Sequence, residues 1–297
     1  MPEAQALGFE VVAEGFAFIE SPRVMANGDL WFSDLNGGGV YRKRKGCAVE
    51  TMLPGRQWVG GMVFDESGAV LCGGKGGIVA LDPVSGATIP VLSELEGVPI
   101  IAVNDMEGDG RGGFFAGTID FVSIMEKGEP PSPGSFFHVS AEGKVTVLRR
   151  DVFASNGIAT SPCGNWLYHS ETSRGIWRYR LGADGLPGAG TLLVEEEDSD
   201  GLAVDSEGNL WLACWSSSRL MQYAPDGTAL QALTLPYTHI VSVAFDPTNR
   251  HRLFVATGGN DSAPKAGAVV SIQVKVPGLP GPQTRLEALS NWTNRAK

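Results

Sequence analysis

Short apolar runs alternate with glycine-bearing polar turns along the whole chain. Six of these runs fall in register: Leu30-Trp31-Phe32, Val70-Leu71-Cys72, Phe114-Phe115-Ala116, Leu167-Tyr168-His169, Leu210-Trp211-Leu212 and Leu253-Phe254-Val255. Their starts are separated by roughly 40 to 53 residues, the period of a β-propeller blade. Within a repeat, an apolar strand such as Met62-Val63-Phe64 or Leu202-Ala203-Val204 comes first. A turn follows, built on Asn27-Gly28, Ser67-Gly68, Cys163-Gly164, Glu207-Gly208 or Thr248-Asn249, residue types that tight turns select. The central run, a small-residue bend, a third strand such as Gly175-Ile176-Trp177 and a fourth strand complete the unit. One repeat is thus one four-stranded blade.

The chain is therefore expected to form an all-β, six-bladed propeller as a single domain over residues 1–297, with 276–297 an irregular C-terminal extension. Ring closure should pair Phe9-Glu10-Val11-Val12 with Ser271-Ile272-Gln273-Val274 in the last blade, limiting free strand edges. No stretch sustains the apolar spacing of a capped helix. Leu92 to Leu95 allows one helical turn at most. Residues 123–134, rich in Lys, Glu and Pro, read as an exposed loop and a candidate lid over the channel mouth.

The same register carries polar residues. Glu20, Asn104, Asn156 and Asp200 stand 10 or 11 positions before the central run, with Gly60 and Ser242 at that place in the other two repeats. A propeller turns equal repeat positions into a ring in space, so these side chains should converge on one end of the central channel. Glu20, Asn156 and Asp200 offer two carboxylates and an amide carbonyl. That oxygen-only set suits a single divalent cation in the channel, Ca²⁺ first, with Mg²⁺, Zn²⁺ or Mn²⁺ as alternatives; the last two would more often recruit histidine. Taken singly, Asn156-Gly157 and Asp200-Gly201 are ordinary turn formers. Their common register on separate blades argues for a site.

Composition narrows the partners. Twenty-three Lys and Arg against 33 Asp and Glu give a formal charge of −10 without a basic run, a poor match to a nucleic-acid backbone. No segment reaches the length of a membrane span, and Met1 to Val12 lacks the pattern of a signal peptide. Cys47, Cys72, Cys163 and Cys214 are far apart, with no C-x-x-C pair, which fits reduced thiols and a cytoplasmic location. Neither a P-loop, a G-x-S-x-G elbow nor an H-E-x-x-H helix is present. Oligomeric state is not legible.

The segments Glu20-Ser21-Pro22-Arg23, Asn104-Asp105, Ser155-Asn156-Gly157-Ile158 and Asp200-Gly201-Leu202-Ala203-Val204-Asp205, in that order and spacing, resemble the senescence-marker protein, gluconolactonase and luciferin-regenerating enzyme-like family. The resemblance spans about residues 9 to 275 and implies a six-bladed propeller. It implies one divalent metal held by Glu20, Asn156 and Asp200, with Asn104 touching substrate or a bound water. Glu14 competes with Glu20 for the family's glutamate; Glu20 keeps the register and precedes Ser-Pro. Sugar-lactone members of the family often carry an arginine two residues before the N-D asparagine, where this chain has Ala102. That departure predicts less hydroxylated or aromatic-bearing lactones as substrates, and predicts that Ala102→Arg improves turnover of gluconolactone-type ones.

The expected activity is metal-dependent hydrolysis of a small-molecule lactone, with Asp200 as both ligand and base. Trp58, two residues before Gly60, should line the substrate pocket, and His239, three before Ser242, should meet substrate or shuttle a proton. His169, inside a strand, reads as structural. Two alternatives remain open: phosphoester or organophosphate cleavage on the same fold, and a non-catalytic ligand-binding propeller.

Overall fold

A computed structural model describes residues 4–6, 8–290 and 292. Six antiparallel four-stranded sheets succeed one another along the chain. Their first strands are Ile19–Val24, Met62–Phe64, Ala102–Gly108, Ser155–Thr160, Ser199–Val204 and His239–Phe245. Each of these touches the next, and the sixth touches the first, so they line a closed channel. The six central runs all lie in the second strands.

Closure follows the expected route. Glu10–Phe16 supplies the outer strand of the sixth blade, pairing Glu10 with Ser271 and Val11 with Val270. The ring is therefore joined through backbone hydrogen bonds between the two ends of the repeat array. An additional short strand, Ala4–Ala6, lies parallel to Ala229–Thr234 on the fifth blade.

The hydrophobic pattern is resolved by where each face goes. Both faces of a blade are covered by its neighbours, so inner strands read as nearly continuous apolar runs. Six apolar clusters fill the six interblade spaces. Fully buried aromatic side chains, including Trp31, Phe32, Phe114, Phe115, Phe136 and Phe137, supply much of this packing. Cys72 and Cys214 are buried within it; burial pushes the Cys72 thiol up to about 12.

A second repeated signal closes the turn between the first two strands. Asp65, Asp109, Asp205 and Asp246 each accept a backbone N–H two residues on, from Ser67, Arg111, Glu207 and Thr248, which is the Asx-turn geometry. Asp205 goes further. Its buried carboxylate also accepts from Asn209 Nδ2, Trp211 Nε1 and Gln222 Nε2. Asp205→Ala should cost about 3 kcal/mol, because several buried donors lose a charged acceptor. Urea melts that show less than about 1 kcal/mol would refute this role.

Three local expectations are corrected. Residues 123–134 are not only loop: Val122–Lys127 forms a single π-helical turn. Burial raises Asp120, but hydrogen bonds from Ser123 and Ser132 outweigh it and hold the carboxyl at about 2. Leu92 to Leu95 is strand, not helix. Residues 277–290 run as a strap: Gly278 bridges Asp205, Thr284 bridges Asp65, and Leu286 and Leu289 enter the core between blades two and three.

Candidate metal and substrate site

The ring residues do meet. They sit where the inner strands carry register shifts: Glu20/Arg23, Val103/Met106, Ser155/Ile158, Ser199/Leu202 and Ile240/Ser242. A bulge places two residues opposite one and re-aims their side chains. Five blades thus interrupt the pleat at the polar layer. In the remaining blade Gly60 is required by space, since a Cβ there would fall on Asn104 Oδ1.

Glu20, Asn104, Asn156 and Asp200 are all buried, at 7%, 4%, 9% and 6% exposure. Asn104 Nδ2 donates to Asn156 Oδ1 at 2.6 Å and to the Ser155 carbonyl at 2.8 Å. Both amide hydrogens of Asn104 are therefore spent, one on Asn156 Oδ1 and one on the Ser155 carbonyl, and its Oδ1 remains to accept from substrate or water. Among the described residues the Glu20 carboxylate accepts only the Ser21 N–H, at 3.3 Å, and neither Glu20 nor Asp200 joins an ion pair. Burial, then the nearby Asp105 charge, raises Glu20 to about 8. Burial, then the charges of Glu20, Asp105 and Asp198, holds Asp200 well above the usual carboxylate range.

Asp105 is a residue the sequence reading passed over. It is the partner of Asn104 in the bulge, buried, and paired with Arg23 at 3.3 Å. Arg23 crosses from blade one to the Met62 and Met106 carbonyls of blades two and three. Three carboxylates therefore crowd one layer, with a guanidinium on only one of them. Such a layer has an electrostatic need for a cation, and its donors are all oxygen, so the residues fit a hard divalent ion.

A different acidic group, Glu196, Asp198 and Cys214, is compact enough to hold an ion. Its charge is already met: Arg219 lies 3.1 Å from Glu196 and 3.7 Å from Asp198, and Tyr223, Ser216 and Ser217 donate to the carboxylates. The uncompensated ring is the better candidate.

Above the ring, on the side where the inner strands begin, lies a seventh apolar cluster. Leu35, Trp58, Ala102, Ile119 and Phe121 form it, with Phe18, Val122, Ile124 and Ala154 packed against it. Phe18, Trp58, Ala102 and Ala154 each stand two residues before a ring position. Trp58 adopts a left-handed backbone (φ 59°), packs 5.8 Å from Phe121 and carries the Lys75 ammonium 4.3 Å over its ring. Lys75 in turn pairs with Glu126 on the π-helical turn. His239 borders the same mouth, 5.7 Å from Phe18 and stacked on Trp215. Its Nδ1 contacts the Trp215 carbonyl at 2.8 Å, so Nδ1 carries the proton and Nε2 is left as an acceptor.

His169 is structural. It is fully buried, stacked on Phe136 and bonded through Nε2 to Ser155 Oγ at 2.8 Å; burial, then the Arg149 charge, lowers it to about 3. A cavity of about 430 Å³ lies at the opposite end of the channel, between Arg23, Glu107, the ends of the inner strands and the strap residues Leu279–Gln283. It contains none of the ring residues.

A six-bladed propeller whose channel holds an all-oxygen acidic ring defines the class. The chain belongs to the SMP-30/Gluconolactonase/LRE-like family, whose sequence profile matches residues 18–259. It is 31% identical over 268 residues to the 6-deoxy-6-sulfogluconolactonase of Pseudomonas putida, covering 85% of this chain and 89% of that protein. It is 28% identical over 253 residues to the pentonolactonase XacC of Haloferax volcanii, covering 80% of each. Among solved structures, the calcium-binding protein regucalcin from Agrobacterium tumefaciens superposes with a TM-score of 0.81 at 24% identity, over 96% of this chain and all of that one.

Proposed function

We propose that this protein is a metal-dependent lactonase, with Glu20, Asn156 and Asp200 as the ligands of one divalent cation, Ca²⁺ first. The observation that carries the proposal is the buried convergence of Glu20 and Asp200 with no ion-pair partner among the described residues, beside an amide oxygen presented by Asn156. Relatives named as lactonases, and a calcium-binding structural neighbour, support the same reading.

A cation held there supplies Lewis-acid polarisation of a carbonyl and acidification of water. The chain's own residues do the rest. Asn104 fixes Asn156 and offers Oδ1 to a hydroxyl or water. Asp200, a ligand of the cation, is also the carboxylate assigned to accept a proton from the attacking water. His239 Nε2 stands at the mouth to receive or return a proton. Phe18, Trp58 and Phe121 shield the reacting centre from bulk water and present an apolar wall to the ring substituents of the lactone.

A pH-indicator assay against lactones of graded polarity, with and without chelator, tests this reading. The expected outcome is hydrolysis that chelator abolishes and Ca²⁺ restores. Hydrolysis unaffected by exhaustive chelation would remove the metal from the mechanism. Absence of any lactone turnover in metal-loaded protein, with cleavage of phosphoesters instead, would favour the other hydrolytic chemistry.

A further inference from the structure

We infer that Thr172 is the positioning residue that makes Asn156 a metal ligand, by fixing which end of its amide faces the channel. The inference rests on the metal reading above. An asparagine offers a carbonyl oxygen at one end and an NH₂ at the other, and only the oxygen can ligate a cation. Something must therefore set the amide's orientation.

Thr172 lies in the turn between Trp166–Glu171 and Gly175–Leu181, and its backbone N–H is held by the Ala154 carbonyl. Its hydroxyl donates to the Ser199 carbonyl at 2.6 Å. A carbonyl can only accept, so the hydroxyl proton is committed to Ser199. Toward Asn156 the hydroxyl can then only accept, and the group 2.7 Å away must be Nδ2. The far end, Oδ1, is thereby turned to Asn104 and the channel.

The other side carries an equivalent lock. Asn104 Nδ2 is committed by the Ser155 carbonyl, so it is a donor and must meet an oxygen on Asn156. Proton direction runs without conflict from Asn104 to Asn156 to Thr172 to Ser199. One lone pair of Asn156 Oδ1 takes the Asn104 N–H, and the second is free for a cation. Thr172 also ties the ligand on blade four to the residue immediately before Asp200 on blade five. It thus sets the spacing of two ligands as well as the orientation of one.

Calcium titration calorimetry on chelator-stripped protein, with metal-free melting temperature as a second readout, tests the inference. Thr172→Val keeps the shape and removes the hydroxyl. It should weaken calcium binding about 10- to 100-fold, the usual cost of an outer-shell partner, while Thr172→Ser restores it. The decisive variant is Asn156→Asp, whose two terminal atoms are both oxygen. In that background the same Thr172→Val change should cost less than about threefold. Equal losses in both backgrounds, or wild-type affinity in Thr172→Val, would overturn the orienting role while leaving the metal site standing. A wild type that binds no divalent cation would sink the metal reading itself, and this inference with it.

Discussion

Asp200→Ala should weaken calcium binding by more than about a hundredfold, because it deletes a charged ligand rather than an outer-shell partner. It should abolish lactone hydrolysis together with binding. The same change should make the cation-free protein more stable at pH 8. Glu20 and Asp200 both have folded-state pKa values raised above their ordinary ones, Glu20 to about 8. A carboxyl raised in this way contributes stability fully below its unfolded value and loses it as pH rises through the folded value. Stripped wild-type protein should therefore lose stability between about pH 4.5 and 8, on the order of a few kcal/mol, and calcium should restore it.

Asp200→Ala, with one buried charge fewer, should show a shallower loss. A further consequence separates this account from a simple ligand deletion. Glu20, raised to about 8, is largely protonated at pH 7 without a cation, so wild-type binding should release on the order of one proton per ion from this carboxyl. Calorimetry in buffers of differing ionisation enthalpy reads that number directly. Retention of calcium affinity within about tenfold in Asp200→Ala would show that the ion is held elsewhere; Glu196, Asp198 and Cys214 would then be the group to test.

The architecture was legible because a propeller repeats its blade, and a repeat can be seen in one sequence. The ring of Glu20, Asn104, Asn156 and Asp200 was legible for the same reason: equal offsets become equal heights on the channel axis. Asp105 was hidden because the bulge at Asn104-Asp105 breaks the two-residue alternation that assigns side chains to faces. Alternation alone would send Asp105 away from the layer it joins. The apolar roof was half legible. Trp58 stood out as a tryptophan before Gly60, yet Phe18 holds the same offset before Glu20 and could have been read by the same rule. Phe121 and the helical turn after it could not, since they belong to an insertion present in one blade only, where periodicity carries no information. The strap past residue 276 was opaque for a similar reason: its two anchors, Leu286 and Leu289, fill a core whose other walls are far away in sequence.

Ala102→Arg alone should not improve turnover of sugar-derived lactones, although comparison with arginine-bearing relatives makes it the obvious substitution. Ala102 is completely buried, paired with Ile119 and enclosed by Trp58 and Phe121. An arginine there overfills a packed cluster, at about 1–3 kcal/mol, and buries a guanidinium among apolar side chains, at several more. The single variant should therefore unfold at lower urea by roughly 3–5 kcal/mol, with turnover of every lactone reduced. Space must be made first. Trp58→Ala removes the largest side chain over that position and the platform on which Lys75 rests. In the Trp58→Ala/Ala102→Arg double variant the arginine can reach the chamber above the ring and donate to ring hydroxyls. Its kcat/KM for a polyhydroxylated lactone, relative to an apolar one, should rise about tenfold over wild type, the equivalent of one charged hydrogen bond. Trp58→Ala by itself should lower turnover of the apolar lactone without that gain. A well-folded Ala102→Arg single variant with faster sugar-lactone turnover would mean that the aromatic roof is displaced easily, and that Trp58 and Phe121 do not govern what enters.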